Sequence, residues 1–202
     1  MSVGAVILAA GRSTRMGANK LVVDIGGKPL IGRTIEAVLA SRARPVIVVT
    51  GHETEKLAKS LVGLEVMQVR NPRHAEGLST SLNVGLGALP RMARGALICL
   101  GDMPLIKAST LDLLIGEFEK DEELVALVPA LGGEWGNPVL LSRSLFPQVA
   151  HLQGDMGARK LLQGRDDVMV MEIDDPAILI DADTPSALAE LRGRIGTLSG
   201  DG

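Results

Sequence analysis

The stretch "VILAAGRSTRMGANK", residues 6–20, runs from an apolar segment through a glycine into three cations, Arg12, Arg15 and Lys20. Its apolar half belongs to a run from Val3 to Ala10 that lacks the alternation of a half-exposed strand. Such a run suits a strand buried on both faces of a parallel sheet. Gly11 permits a sharp turn and a close approach of backbone to ligand. In open α/β sheets ligands sit beyond the carboxyl ends of the strands, so cations at this turn point to an anion. The loop is not a Gly-Lys-Ser/Thr phosphate loop, because Gly17 is followed by Ala18, and no Gly-x-Gly-x-x-Gly occurs. Residues 1–35 hold Arg12, Arg15, Lys20, Lys28 and Arg33 against Asp24 alone, in a chain of net charge −3. A polyphosphate is the expected ligand.

Similar apolar runs recur at 45–50, 64–70, 96–101, 124–130, 137–142, 168–173 and 177–180. Segments of helical period separate them. Ile31, Ile35, Val38 and Leu39 share one face, as do Leu111, Leu114, Ile115 and Phe118, with Ser109 or Thr110 as the expected cap. Leu82, Leu86 and Leu89 form a stripe that Gly85 and Gly87 weaken. Thr184-Pro185 reads as a cap and first turn, with Leu188, Leu191 and Ile195 on one face. This alternation predicts a three-layer, Rossmann-like α/β fold with a mostly parallel sheet. One domain is expected over residues 1–195, followed by a disordered tail at 196–202.

Composition narrows the classes. A pI near 5.7 gives no overall basic face, and Phe118, Trp135 and Phe146 are the only aromatic residues, so nucleic acid is not the expected partner. The lone cysteine, Cys99, lies in an apolar run and reads as a core residue, in keeping with a reducing compartment. The run at 3–10 is far too short to span a bilayer. A cytoplasmic protein without membrane contact is expected.

Four further regions carry chemistry. Asp102 follows a strand and Gly101 in "LICLGDMPLI", 97–106, placing a carboxylate at the ligand edge. Mg²⁺, which takes hard oxygen ligands and bridges phosphates, is the metal expected there. Asp181 and Asp183, two apart in "ILIDADTPSAL", share a face at strand spacing, and Asp183 is the stronger ligand candidate. Gly77, Ser79 and Ser81 open a helix whose free N–H groups suit an anion or a base edge. Glycine-rich loops at 132–142 and 151–162, with Asn137, Pro138, Gly154, Asp155 and Arg159, offer a mouth for a second substrate. His52, His74 and His151 have no metal-ligand spacing, and no Ser/His/Asp set stands out.

Taken together, "LAAGRSTRMGANKL…GGKPLI", "GLSTSL", "GDMPLI", "PVLLS", "GDMGARKLL" and "DADTP" resemble the molybdenum-cofactor nucleotidyltransferases, and among them the cytidylyltransferases, nearly end to end. That resemblance implies an NTP held by Leu8, Ala9, Ala10, Gly11 and Lys20, with Asn71 assisting and Mg²⁺ on Asp102 and Asp183. Ala10 tilts the nucleotide toward CTP. The implied reaction is in-line attack by the terminal phosphate of molybdopterin (molybdenum cofactor) on the α-phosphorus. Pyrophosphate leaves, stabilised by Arg12, Arg15 and Lys20, and the product goes to a molybdenum hydroxylase client. Glu134-Trp135-Gly136-Asn137-Pro138 stands where relatives often read x-Arg-Gly-His-Pro. GTP, a sugar or alcohol phosphate acceptor, and a carrier without turnover are the alternatives.

Overall fold

The computed structural model describes residues 2–11 and 19–198. Eight strands form one sheet: β1 Val3–Ala9, β2 Val46–Thr50, β3 Met67–Arg70, β4 Gly95–Leu100, β5 Ala126–Leu131, β6 Glu134–Trp135, β7 Val139–Ser142 and β8 Val168–Glu172. The order is β3-β2-β1-β4-β7-β5-β6, with β8 also on β5. Pairings β1–β2, β1–β4, β2–β3 and β5–β8 are parallel; β7 runs antiparallel to β4 and β5, and β6 antiparallel to β5. The sheet is mostly parallel, as expected from its unalternating runs.

Among the described residues seven helices cover its two faces: α1 Leu30–Ala40, α2 Thr54–Ser60, α3 Leu78–Gly87, α4 Ala108–Lys120, α5 Phe146–Val149, α6 Ala158–Leu162 and α7 Pro185–Leu198. Val3, Ala5, Ile7 and Ala9 of β1 pack into one core with α1, α2, α4 and α7, through Ile35, Leu57, Phe118 and Leu191. Val6 and Ala10 point into a second core with α3, α5 and α6, through Leu82, Val149 and Leu162. The period-2 alternation of one buried strand thus feeds two cores, giving three layers. Each fully buried Leu, Ile or Phe contributes about 1.5–3 kcal/mol.

Three local expectations change. The run at 177–180 is not a strand; Pro176–Leu179 makes a 3-10 turn, because Pro176 fixes its first position and the Asp175 carboxylate accepts from Ala177 N at 3.1 Å. Neither Ser109 nor Thr110 caps α4, which begins at Ala108; Thr110 Oγ1 donates instead to Asp175 Oδ2 at 2.7 Å, tying α4 to that turn. Gly85 is no weakness of α3. A Cβ there would lie 2.2 Å from Val6 Cγ1, so the missing side chain lets the helix sit down on β1. Thr184 does cap α7, its Oγ1 accepting from Ala187 N at 3.1 Å, and that helix runs on to Leu198, past the expected limit at 195.

Candidate active site

The ends of β1 and β4 are stitched together by Gly101 N donating to Leu8 O at 3.0 Å, which carries Asp102 beside the turn at Gly11. Thr34 Oγ1 of α1 donates to Gly101 O at 3.2 Å and fixes the same loop from the other side. Ala182, fully buried, donates its N–H to Asp102 O at 3.2 Å. Its neighbours Asp181 and Asp183 are thereby brought to Asp102 by a loop anchored in the core, not by strand spacing. Lys20 opens a short 3-10 turn, Lys20–Val22, whose cap Asn19 accepts from Leu21 N at 3.1 Å.

These pieces converge on one nitrogen. Lys20 Nζ donates to Asp102 Oδ2 and, at 2.5 Å, to Asp183 Oδ1. The Lys20 and Asp102 side chains are 12% and 11% exposed, so this pair is screened little, whereas Asp183 reaches into solvent at 54%. Burial pulls the lysine ammonium down, but the two carboxylates outweigh it and hold its pKa above the usual value. Asp181 is pushed up, by burial first and then by the charges of Asp102 and Asp183. Asp181 thus stands as a third carboxyl beside the two ion pairs at the mouth of β4. Among the described residues no three acidic, thiol or imidazole side chains are close enough to cage a metal unaided. The oxygen donors fit a hard divalent cation held by one or two carboxylates, with phosphate and water completing its shell.

A cleft of about 500 Å³ opens over this group, bordered by Ala10, Gly11, Lys20, His74, Ser81 and Asp155 among others. Leu8 and Gly77 also line it. Beside it lies a chamber of about 170 Å³ walled by Glu134, Trp135, Asn137, Arg159 and Ile178 to Asp181. Arg159 donates to the Trp135 carbonyl at 2.5 Å, and Asn137 N to Ile178 O at 2.8 Å, so β6 and the 3-10 turn close this chamber.

Several expected site residues stand elsewhere. Ala9 points into the core opposite the cleft, since it alternates with Ala10. Asn71 is fully buried; its Nδ2 donates to Thr80 Oγ1 at 2.8 Å and Ser81 Oγ at 2.9 Å, and its Oδ1 accepts from Arg73 N at 2.9 Å. It therefore braces the start of α3 beneath the cleft and does not border the ligand space. Ser79 is buried too, and its N–H goes to Gly154 O at 3.0 Å. Leu78 N is met by Asp155 Oδ1 at 3.3 Å. Two of the N–H groups expected to be open at α3, those of Leu78 and Ser79, are thus met by the chain's own loop. Gly77 (φ +113°) crosses Gly154 so closely that a Cβ on it would lie 2.2 Å from the Gly154 carbonyl carbon. The expected acceptor set is split: Asn137 and Arg159 line the small chamber, Asp155 lines the large cleft, Gly154 stands at the crossing with Gly77, and Pro138 is not among the lining of either cavity. Arg12 and Arg15 lie outside the described residues. His74 was given no role by its sequence context, yet it borders the cleft, with Nδ1 3.2 Å from Asn71 O. Its only sequence signal is its place in the loop after β3.

A ligand cleft at the carboxyl edge of a parallel sheet, with a cation between acids, defines a nucleotide-handling transferase. The chain belongs to the family of the MobA-like NTP transferase domain, whose pattern matches residues 5–169. It is 31% identical over 192 residues to the Purine catabolism protein PucB of Bacillus subtilis, across 89% of this chain and 91% of that one. Its fold matches a nucleotidyl transferase of Methanothermobacter thermautotrophicus at TM-score 0.84 and 25% identity, covering 98% and 99% of the two chains. It also matches Rv0371c of Mycobacterium tuberculosis in complex with manganese, at TM-score 0.79 and 26% identity over 96% and 99%. The bifunctional protein GlmU of Micrococcus luteus is similar over only 27% of its own length. The chain is a nucleotidyltransferase of this family. Among the described residues no helix is long and apolar enough to cross a membrane.

Proposed function

We propose that this enzyme transfers CMP from CTP to the terminal phosphate of molybdopterin (molybdenum cofactor) in the cytoplasm, releasing pyrophosphate. The observation that carries the reading is the meeting of Asp102 and Asp183 on Lys20 in the wall of the larger cleft, beside Asp181, which also borders the smaller chamber. The large cleft takes the nucleotide along Leu8, Ala10, Gly11, Gly77 and Ser81. The small chamber takes the body of the acceptor, against Asn137 and Arg159. Ala10 supports CTP over GTP, and the resemblance of the glycine-rich loops supports the acceptor.

Asp102 and Asp183 would hold Mg²⁺, which when bound lowers the negative charge on the phosphates and lets an anionic nucleophile approach. The acceptor phosphate is already ionised at neutral pH, so no side chain need remove a proton. The chain's own task is to hold two anions in line and to exclude other geometries. Lys20, with Arg12 and Arg15, neutralises the departing pyrophosphate. The resemblance to the molybdenum-cofactor nucleotidyltransferases is what supports a molybdenum hydroxylase as the client for the product.

The test incubates the full chain with each of the four NTPs, Mg²⁺ and molybdopterin, and measures pyrophosphate. CTP with molybdopterin should release pyrophosphate fastest and yield a CMP conjugate. Faster release from GTP, or with a sugar phosphate as acceptor, overturns the assignment, and tight binding with no pyrophosphate from any pair makes the protein a carrier.

A further inference from the structure

We propose that Lys20 competes with the divalent cation for Asp102 and Asp183, so that metal is held firmly only once a nucleotide's phosphates draw the lysine away. This rests on the metal assignment in the reading above. The two carboxylates share a single nitrogen through short ion pairs. A metal bound to either oxygen would bring a double positive charge within a few ångströms of that ammonium, where repulsion is strong because Lys20 and Asp102 are almost wholly shielded from water. The lysine side chain cannot simply leave for bulk solvent without exposing its partners. It is rooted in the 3-10 turn whose cap, Asn19, is buried. The same turn borders the 500 Å³ cleft, so the anionic ligand of that cleft is the natural new partner for the ammonium.

Asp181 fits this exchange. It lies close enough to both acids and to Lys20 to feel their charges, and its Oδ1 accepts from Asp183 N at 3.2 Å. Its carboxyl adds to the negative field that draws a cation to this corner. Metal and nucleotide then bind with positive cooperativity, because each removes what hinders the other.

Manganese is the probe, with affinity read by the loss of its free-ion paramagnetic resonance signal in the absence of any turnover. Wild-type protein should bind Mn²⁺ alone weakly, and a non-hydrolysable CTP analogue should tighten it. Lys20→Met should bind Mn²⁺ alone about ten- to a hundredfold tighter than wild type, the range over which groups around a metal tune its affinity. Equal or weaker binding by a folded Lys20→Met protein overturns the competition. Since that variant leaves Asp102 shielded and unpaired, a second measurement uses wild-type protein: acylation of Lys20 by an amine reagent, followed by mass spectrometry. Saturating Mn²⁺ should raise labelling of Lys20 severalfold, and unchanged labelling at saturation overturns the idea. Neither readout involves pyrophosphate. A correct exchange with no CMP transfer would therefore sink the proposed function alone, and normal CMP transfer without the exchange would sink only this inference.

Discussion

Gly77 and Gly154 cross backbone against backbone, with no room for a methyl group between them. This crossing docks the 151–157 loop on the start of α3 and sets one wall of the larger cleft. Gly77→Ala must force a left-handed-side φ of +113° on a residue with a Cβ and also part the two strands of chain. The backbone term alone costs about 1–3 kcal/mol. Urea unfolding should show a loss at or above that range, and nucleotide affinity should fall with it. A variant as stable as wild type would mean that the crossing is looser than described.

Thr110→Val removes the donor to the buried Asp175 carboxylate while keeping the side chain's shape. Leaving that acceptor with one partner fewer should cost about 1–3 kcal/mol in denaturant unfolding. The loss should largely disappear when Asp175→Ala is the background, since that change removes the acceptor and the two residues act as one contact.

Asp102→Asn keeps an acceptor for Lys20 but removes the charge. Pyrophosphate release should fall by about 10²–10³, or roughly 3–4 kcal/mol of transition-state stabilisation, with the thermal midpoint within a few degrees of wild type. A folded Asp102→Asn enzyme at wild-type rate would remove this carboxylate from the mechanism.

Cys99 is fully buried in β4, and burial pushes its thiol up to about 12. At pH 8 the native protein should be inert to a disulfide reagent that titrates one thiol per chain after unfolding. The linkage sign follows from the shift: the native thiol keeps its proton where the unfolded one, near 9.0, has lost it. Stability therefore declines as pH rises from about 9 towards 12. In Cys99→Ala that part of the alkaline decline should be missing.

How much of this was legible in the sequence depends on how locally each feature is determined. Val6 to Gly11, Asp102 after Gly101, and the Thr184-Pro185 cap are each set by a few adjacent residues, and each stands where its pattern put it. Ala9 shows the limit of a motif: four consecutive residues read as one binding strip, but strand alternation turns Ala9 into the core. Asn71 is expected at the nucleotide through the family resemblance, and Ser79 because polar residues at a helix start usually face solvent. Only the packing of β3 against α3 reveals that they are buried braces. Asp155 meets Leu78 across 77 positions of sequence, and nothing in either neighbourhood announces the partner. Gly85, read as a helix defect, is explained only by Val6 beneath it.

Asp181 has a further consequence. Among the described residues it is the one side chain that borders both the larger cleft and the smaller chamber. On the proposed reaction, two ligands that arrive separately leave as one molecule lying across that carboxylate. Grips that were independent for the substrates act jointly on their conjugate, so its residence exceeds that of either parent. Departure, rather than bond-making, then governs the turnover rate. A downstream protein that draws the conjugate off this saddle would speed the cycle without altering a single reacting atom.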